Sequence, residues 1–210
     1  MPTIKNQNYR NFLDKGIIQT LTLKDIQNAI SNIKTNKEEA KSLITILYYT
    51  GARPNEVLLI KAKDITKENQ YIIIQLQGSK NGLPRKVYLQ YKYKLIKELY
   101  QYSNKLFEDA YIFYHFKGNH KRTYINKKGE IKNYTETSYK LRYYFNKWFK
   151  DLPESISPYF LRHNRFSILA EKDLSVHEIR ILKGARTLQS VMPYIHMSSK
   201  TGKKIARKID

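Results

Sequence analysis

Apolar side chains recur at helical spacing along most of this chain, and strand-like alternation replaces that periodicity over one short central stretch. Leu23, Ile26 and Ile30 follow Thr22 at intervals of three or four residues, after a motif that resembles a capping box. A helix is therefore expected from Thr22 to about Ile33. A chain with this pattern is expected to pack amphipathic helices around a common core.

The same signals predict the other helices. Gly51 ends a second helical run, and Pro54 suits the first turn of the next one. Ser157, Ser175 and Thr187 are plausible caps in front of later apolar runs. We expect further helices over 37–49, 54–60, 95–106 and 135–150, followed by three that begin near 157, 175 and 187.

The central stretch predicts a β-hairpin. Residues 71–76 are β-branched and aromatic, 78–84 are rich in turn residues, and 85–89 alternate, which places Lys80 in the turn. Residues 117–133 suit a loop or a second small hairpin. The predicted fold class is α+β, mainly helical, with a small antiparallel β-sheet. We expect one domain over 21–198, after an arm of residues 1–20 and before a basic tail of residues 199–210.

Charge limits the partners. The chain holds 39 Lys and Arg against 18 Asp and Glu, a formal net charge of +21, which opposes compaction unless a polyanion neutralises it. Nucleic acid is therefore the expected partner. Ribosomal, chromatin and peripheral membrane proteins can carry the same excess, so charge alone does not decide the function.

Several function classes are disfavoured by the residues that are scarce. There is no cysteine, which excludes disulfides, thiolate metal sites and a cysteine nucleophile. Neither the histidines nor the carboxylates show metal-ligand spacing, so no metal, no cofactor and no metal-dependent nuclease are expected. No window approaches the roughly 18 consecutive apolar residues of a membrane span. A cytoplasmic, nucleoid-associated protein is expected, or one in the host cytoplasm if the source is a virus.

Four residues are candidates for phosphoryl-transfer chemistry. Arg53 precedes a predicted helix start, where a guanidinium adds a bidentate phosphate grip to backbone dipoles that favour anions. Lys80 at a hairpin tip has the reach to donate a proton to a leaving oxygen. Arg162 shares a helix face with Arg165. Tyr194 follows Pro193, which is expected to hold the phenol at an exposed bend.

The chain contains eighteen tyrosines, and a family resemblance distinguishes Tyr194 among them. The segment TGARPNEV at 50–57 resembles the first arginine box of tyrosine recombinases, and GSKNGLPRKVYL at 78–89 resembles their hairpin with its lysine. YFLRH at 159–163 is similar to the second box, His-x-Leu-Arg-His, and MPYIH at 192–196 to the nucleophile segment. The four elements occur in the family's order and cover about 22–196.

The resemblance implies a mechanism that needs no cofactor. Tyr194 would attack a phosphodiester and form a 3′-phosphotyrosyl link, and the freed 5′ hydroxyl would later attack a partner strand's link. Arg53 and Arg162 would stabilise charge on the phosphorus, and Lys80 would protonate the leaving oxygen. A homotetramer on DNA is implied, with a monomer as the alternative in solution, and about twenty residues precede the resemblance where relatives carry a clamp domain.

Two positions depart from the commonest pattern. Tyr159 stands where histidine is usual, which resembles the Tyr-x-x-Arg form of archaeal integrases from viruses or plasmids, and it could hydrogen-bond a nonbridging oxygen. Ala185 stands where histidine or tryptophan usually follows Gly184. Arg165, Lys183 and Arg186 are predicted DNA contacts, and Arg186 could substitute for the missing side chain at 185.

Alternative functions remain open at this point. A strand-relaxing enzyme of the type IB topoisomerase class would share the chemistry. A catalytically weak DNA-binding protein of the same fold would explain the two departures. An RNA-binding or ribosomal protein would explain the charge but would leave the ordered motifs to coincidence.

Overall fold

The computed structural model describes residues 20–78, 82–117, 121–125, 131–152, 155–172 and 174–195. The expected tail 199–210 and all but residue 20 of the expected arm lie outside these ranges.

Eight α-helices are found in the described residues, and most match the expected positions. They are α1 (Leu23–Ser31), α2 (Lys37–Thr50), α3 (Pro54–Val57), α4 (Lys94–Ser103), α5 (Glu136–Trp148), α6 (Pro158–Glu171), α7 (Val176–Lys183) and α8 (Met192–Ile195). The third helix has a single turn, and a short 3₁₀ segment, Ala62–Asp64, lies between it and the sheet.

The caps explain where several helices begin. The Thr22 and Asp25 side chains satisfy each other's backbone N–H groups at the start of α1, as the capping-box motif predicts. Ser157 accepts a hydrogen bond from Phe160 N at the start of α6, and Ser175 forms a capping box at the start of α7. The prediction of a helix that begins at Thr187 was wrong. Residues 186–191 form bends and turns, and the helix begins at Met192.

The predicted hairpin is confirmed and forms part of a three-stranded antiparallel sheet. Strands β2 (Tyr71–Leu76) and β3 (Arg85–Gln90) pair in register Ile74↔Val87, and β1 (Ile65–Glu68) adds to the other edge of β2. The sequence analysis missed β1, whose four residues are too short and polar to show alternation. Of the two alternatives for residues 117–133, the structure has the hairpin, with β4 (Lys121–Ile125) paired to β5 (Ile131–Thr135).

Two apolar clusters hold the described part of the chain together. The larger one joins α1 to α5 with the three-stranded sheet, and its largest fully buried side chains include Phe113, Phe116 and Phe145. The smaller one is formed by α6, α7 and α8 around Phe166, Ile179 and Val191. Helix α6 also packs on α2, so it connects the small cluster to the large one.

Neither a membrane span nor a metal-binding cluster is found in the described ranges. None of the helices there combines the length and the apolar character that crossing a bilayer requires. No three His, Asp or Glu side chains in those ranges are grouped so that they would hold a metal ion.

Candidate active site

A buried carboxylate organises the start of α3. The Glu56 side chain accepts a hydrogen bond from the Arg53 backbone N–H at 2.9 Å and pairs with the Arg53 guanidinium at 2.7 Å. It also pairs with Arg85 Nη2 at 3.0 Å. Burial acts to raise the pKa of Glu56, but the bonds from Arg85 and Arg53 hold it below its usual value. Arg53 is thereby fixed at the helix start with its charge only partly exposed.

Arg162 lies one layer deeper, on α6. Its guanidinium donates to the carbonyl of Gly51, two residues before Arg53, and from Nη2 to the carbonyl of Lys183 at 3.0 Å. Burial lowers the pKa of Arg162 to about 10, and the like charge of Arg53 acts in the same direction. The two arginines predicted to act together are therefore close enough to repel each other.

Tyr194 completes this group from α8. Its hydroxyl lies 2.6 Å from Nδ1 of His163, the residue that follows Arg162, and the two rings stack with centroids 5.7 Å apart. The phenol also packs against Phe166, and only 3% of Tyr194 is exposed. The expectation of an exposed bend after Pro193 was wrong, because Pro193 lies inside the short helix α8 and that helix turns the phenol inward.

Lys183, predicted as a DNA contact, is buried beside Tyr194. It is the last residue of α7 and is 9% exposed, and its ammonium sits 4.8 Å from the centroid of the Tyr194 ring. The ammonium donates to the Ser190 carbonyl. Burial lowers the pKa of Lys183 to about 8, and the charges of Arg162 and Arg53 add to the effect.

The other predicted residues are placed less centrally. Lys80 lies outside the described residues, although the strands on either side of its turn are described. Tyr159 is 49% exposed, one turn before Arg162 on α6. Burial lowers the pKa of Arg165, and the nearby groups that act on its charge are Tyr48, Tyr49 and Tyr93. Arg186 is exposed, and Ala185 is buried and offers no side-chain hydrogen bond.

Two residues of the site were not among the candidates. His163 was visible as the last letter of YFLRH, but only its contact with Tyr194 reveals a role. Arg85 was read as a strand residue, yet its Nε donates to the Leu182 carbonyl at 2.7 Å and joins β3 to the end of α7. Such a contact across 97 residues leaves no periodic signal in the sequence.

The electrostatics favour an anion beside the phenol. Burial lowers the pKa of His163 to about 3, and the charges of Lys183 and Arg162 act in the same direction, so the imidazole is neutral near pH 7. A neutral imidazole can accept a hydrogen bond from the Tyr194 hydroxyl. In the described part of the chain, no carboxylate forms an ion pair with Arg162 or Lys183. A bound phosphate would offset the mutual repulsion of these cations.

Known proteins resemble this chain over most of its length. The model of the phage integrase family matches residues 19–201. The tyrosine recombinase XerA of Pyrococcus furiosus is 21% identical over 189 residues, which cover 90% of this chain and 60% of that protein. The chain spans between 50% and 60% of the length of the curated relatives it matches.

Solved structures share the fold. A XerH recombinase bound to a palindromic difH substrate, in a post-cleavage complex, superimposes with a TM-score of 0.60 at 20% identity, covering 89% of this chain and 52% of that one. The catalytic domain of bacteriophage HP1 integrase gives a TM-score of 0.55 at 15% identity, covering 91% of this chain and 95% of that one. The predicted α+β, mainly helical fold is confirmed.

Proposed function

The chain belongs to the phage integrase family, and we propose that it is the catalytic domain of a site-specific recombinase that cleaves and rejoins DNA through a 3′-phosphotyrosyl link to Tyr194. The observation that carries this proposal is the position of the Tyr194 hydroxyl, 2.6 Å from His163 and near enough to Arg162 for the two groups to interact electrostatically. A phenol held beside a buried guanidinium has the two groups that attack on a phosphodiester requires.

The two arginines would stabilise the charge that accumulates on the nonbridging oxygens. Arg162 is held by two carbonyls, and Arg53 is held by Glu56, so both guanidinium groups are oriented before DNA arrives. Groups that are already oriented lower the barrier because they need little rearrangement when charge develops. Tyr159, one turn from Arg162 and half-exposed, is proposed to hydrogen-bond a nonbridging oxygen.

Proton movements complete the step. As the Tyr194 oxygen bonds to phosphorus, its proton leaves along the hydrogen bond to His163 or to water, and the bond to the 5′ oxygen breaks. That 5′ oxygen takes up a proton, which we assign to Lys80 on the strength of the family resemblance. Rejoining is the reverse sequence on a 5′ hydroxyl.

The partner is proposed to be double-stranded DNA. The net charge of +21 supplies general attraction to the backbone, and the XerH structure that shares this fold contains its DNA substrate. Recombination exchanges strands between two duplexes, so we propose a homotetramer on DNA. Arg165 and Arg186 are proposed as further backbone contacts.

A second function is favoured by two observations: Ala185 provides no hydrogen bond to a phosphate, and Tyr159 lies half-exposed rather than buried beside Arg162. A DNA-binding protein with little cleavage activity would have this site. It would bind DNA in a salt-dependent manner without forming a covalent link.

The test uses duplexes that are nicked next to a randomised core, so that cleavage releases a short fragment and traps the enzyme. Denaturing gels of the wild type, Tyr194→Phe and Tyr143→Phe would separate the two functions. Tyr143 is an exposed tyrosine on α5 and serves as the matched control. We expect an adduct with the wild type and the control and none with Tyr194→Phe. Binding without an adduct for the wild type would support the second function.

A further inference from the structure

The ammonium of Lys183 is buried in a place that structural needs alone do not explain. A lysine at the end of a helix usually extends into solvent, where it is favourably placed near the helix dipole. Here Lys183 is 9% exposed, and the charges of two arginines, Arg162 and Arg53, lie near its ammonium. In the described part of the chain no carboxylate pairs with it, so the folded chain bears the cost of a desolvated cation among like charges.

The position of Lys183 is fixed from both sides. Its backbone carbonyl accepts a hydrogen bond from Arg162 Nη2 at 3.0 Å, and its ammonium donates to the Ser190 carbonyl in the turn before α8. Gly184 follows with φ +62°, a left-handed conformation that ends α7 and sends the chain back toward Tyr194. These contacts hold the ammonium 4.8 Å from the centroid of the Tyr194 ring.

We propose that Lys183 is the electrostatic partner of the nucleophile, where it stabilises the negative charge that the Tyr194 oxygen carries as its bond to phosphorus forms and breaks. This inference rests on the proposed function. A cation facing an aromatic ring is attracted by the electrons of the ring, and it attracts a phenolate more strongly than a phenol because the phenolate bears a full charge. Lys183 transfers no proton in this role.

The chemical balance of the step is simple. In cleavage, Tyr194 loses its phenolic proton, its oxygen bonds to phosphorus, and the bond from phosphorus to the 5′ oxygen breaks with uptake of one proton. In rejoining, the 5′ hydroxyl loses its proton and its oxygen bonds to phosphorus, while the Tyr194 oxygen leaves as a phenolate and is then protonated. Charge appears on that oxygen in both directions, so loss of Lys183 should slow both.

The neighbouring charges support this role. Lys183 faces Arg162 and His163 on α6, Arg53 just before α3, and Tyr194 on α8. Arg53 and Arg162 are assigned to the nonbridging oxygens, and His163 is neutral near pH 7. Lys183 thus places over the ring of the nucleophile a cation that is not assigned to the nonbridging oxygens.

The test measures single-turnover cleavage on a substrate captured in the randomised-core experiment. Lys183→Met keeps the length of the side chain and removes the charge, and we expect it to cleave about a hundredfold more slowly. Lys172→Met removes an exposed lysine next to α6 and is the matched control, with a rate like that of the wild type. If Lys183→Met cleaves at the wild-type rate, the inference is overturned.

The absence of cysteine from the sequence allows a direct test of the charge. Lys183→Cys can be alkylated at this single thiol with an aminoethyl group, which restores an ammonium, or with a propyl group of similar size, which does not. The aminoethyl form is expected to recover most of the lost rate and the propyl form none. Equal recovery by both would show a packing role and would contradict the inference.

A sulfur-bridged substrate shows whether Lys183 acts on the nucleophile or on the leaving group. When sulfur replaces the bridging 5′ oxygen, the leaving group needs no proton, so defects on the leaving-group side disappear. We expect Lys183→Met to stay slow on this substrate. If the sulfur substrate restored the cleavage rate of Lys183→Met, Lys183 would act on the leaving group and the inference would be overturned. A wild type that forms no adduct on any substrate would refute the proposed function itself.

Discussion

The two arginines of the site are held by different kinds of contact, and this decides what a substitution of either would do. Arg162 is fixed by two carbonyl groups that are 132 residues apart in the sequence, those of Gly51 and Lys183. Only a planar fork with several N–H donors can reach both at once. Arg53 depends instead on one carboxylate, that of Glu56.

Replacing Arg162 by lysine should therefore lower cleavage even though the charge is kept. A lysine cannot donate to both carbonyls and also grip a phosphate, so we expect a rate loss of about a hundredfold to a thousandfold. Single-turnover cleavage would measure it, with the exposed Arg142→Lys on α5 as the matched control. Full activity in Arg162→Lys would show that the fork is unnecessary.

His163 should make the stability of the DNA-free chain depend on pH. Its pKa falls from 6.5 to about 3 on folding, so between these two pH values the imidazole is protonated in the unfolded chain and neutral in the folded chain. Stability is complete above about pH 6.5 and is lost as the pH falls toward 3, by at most about 1.4 kcal/mol for each pH unit. Urea unfolding at pH 7, 6 and 5 would show this loss, and His163→Gln should reduce the slope. Identical slopes in the two proteins would refute the assignment.

At the scale of elements, β3, α3 and α7 meet at one buried ion pair. Glu56 on α3 pairs with Arg85 on β3, and Arg85 donates to the carbonyl of Leu182 on α7. The Leu83 backbone N–H also donates to the Gly184 carbonyl at 3.1 Å. The hairpin that carries Lys80 is thus joined to the end of the helix that carries Lys183.

Glu56→Gln should break this junction. The change leaves the Arg85 guanidinium buried without a counter-charge, and loss of one partner of a buried pair costs about 3 to 5 kcal/mol. Chemical unfolding would measure it against Asp109→Asn, which removes an exposed carboxylate paired with Lys61 and Lys63 and should leave stability unchanged. A small effect of Glu56→Gln would mean that the pair does not support the junction.

Local signals predicted the elements better than the site. Capping motifs and periodicity located α1, α2, α6 and α7 and both hairpins, since each depends on neighbours along the chain. The strand β1 was missed because its four residues are short and polar, and the start of α8 was predicted five residues too early, at 187 instead of 192. The inward turn of Tyr194 and the burial of Lys183 depend on packing between α6, α7 and α8, and a single sequence contains no record of such packing.

At the scale of the whole molecule, the excess of positive charge should govern affinity for DNA of any sequence. Each phosphate contact by Lys or Arg releases counterions, so binding weakens as salt rises. We expect affinity for a non-specific duplex to fall by at least about a hundredfold between roughly 50 and 200 mM salt. Fluorescence anisotropy would measure this change in affinity. An affinity that does not change with salt concentration would contradict an electrostatic interface.

The measurement that most directly tests the central claim is the identification of the tyrosine that bears the DNA. Trypsin would release Tyr194 in the peptide 187–200 and Tyr159 in the peptide 151–162, and each peptide contains no other tyrosine. Mass spectrometry of a trapped adduct after nuclease treatment is predicted to find the nucleotide remnant on 187–200. A remnant on 151–162, where the more exposed Tyr159 lies, would contradict the assignment of Tyr194 as the nucleophile.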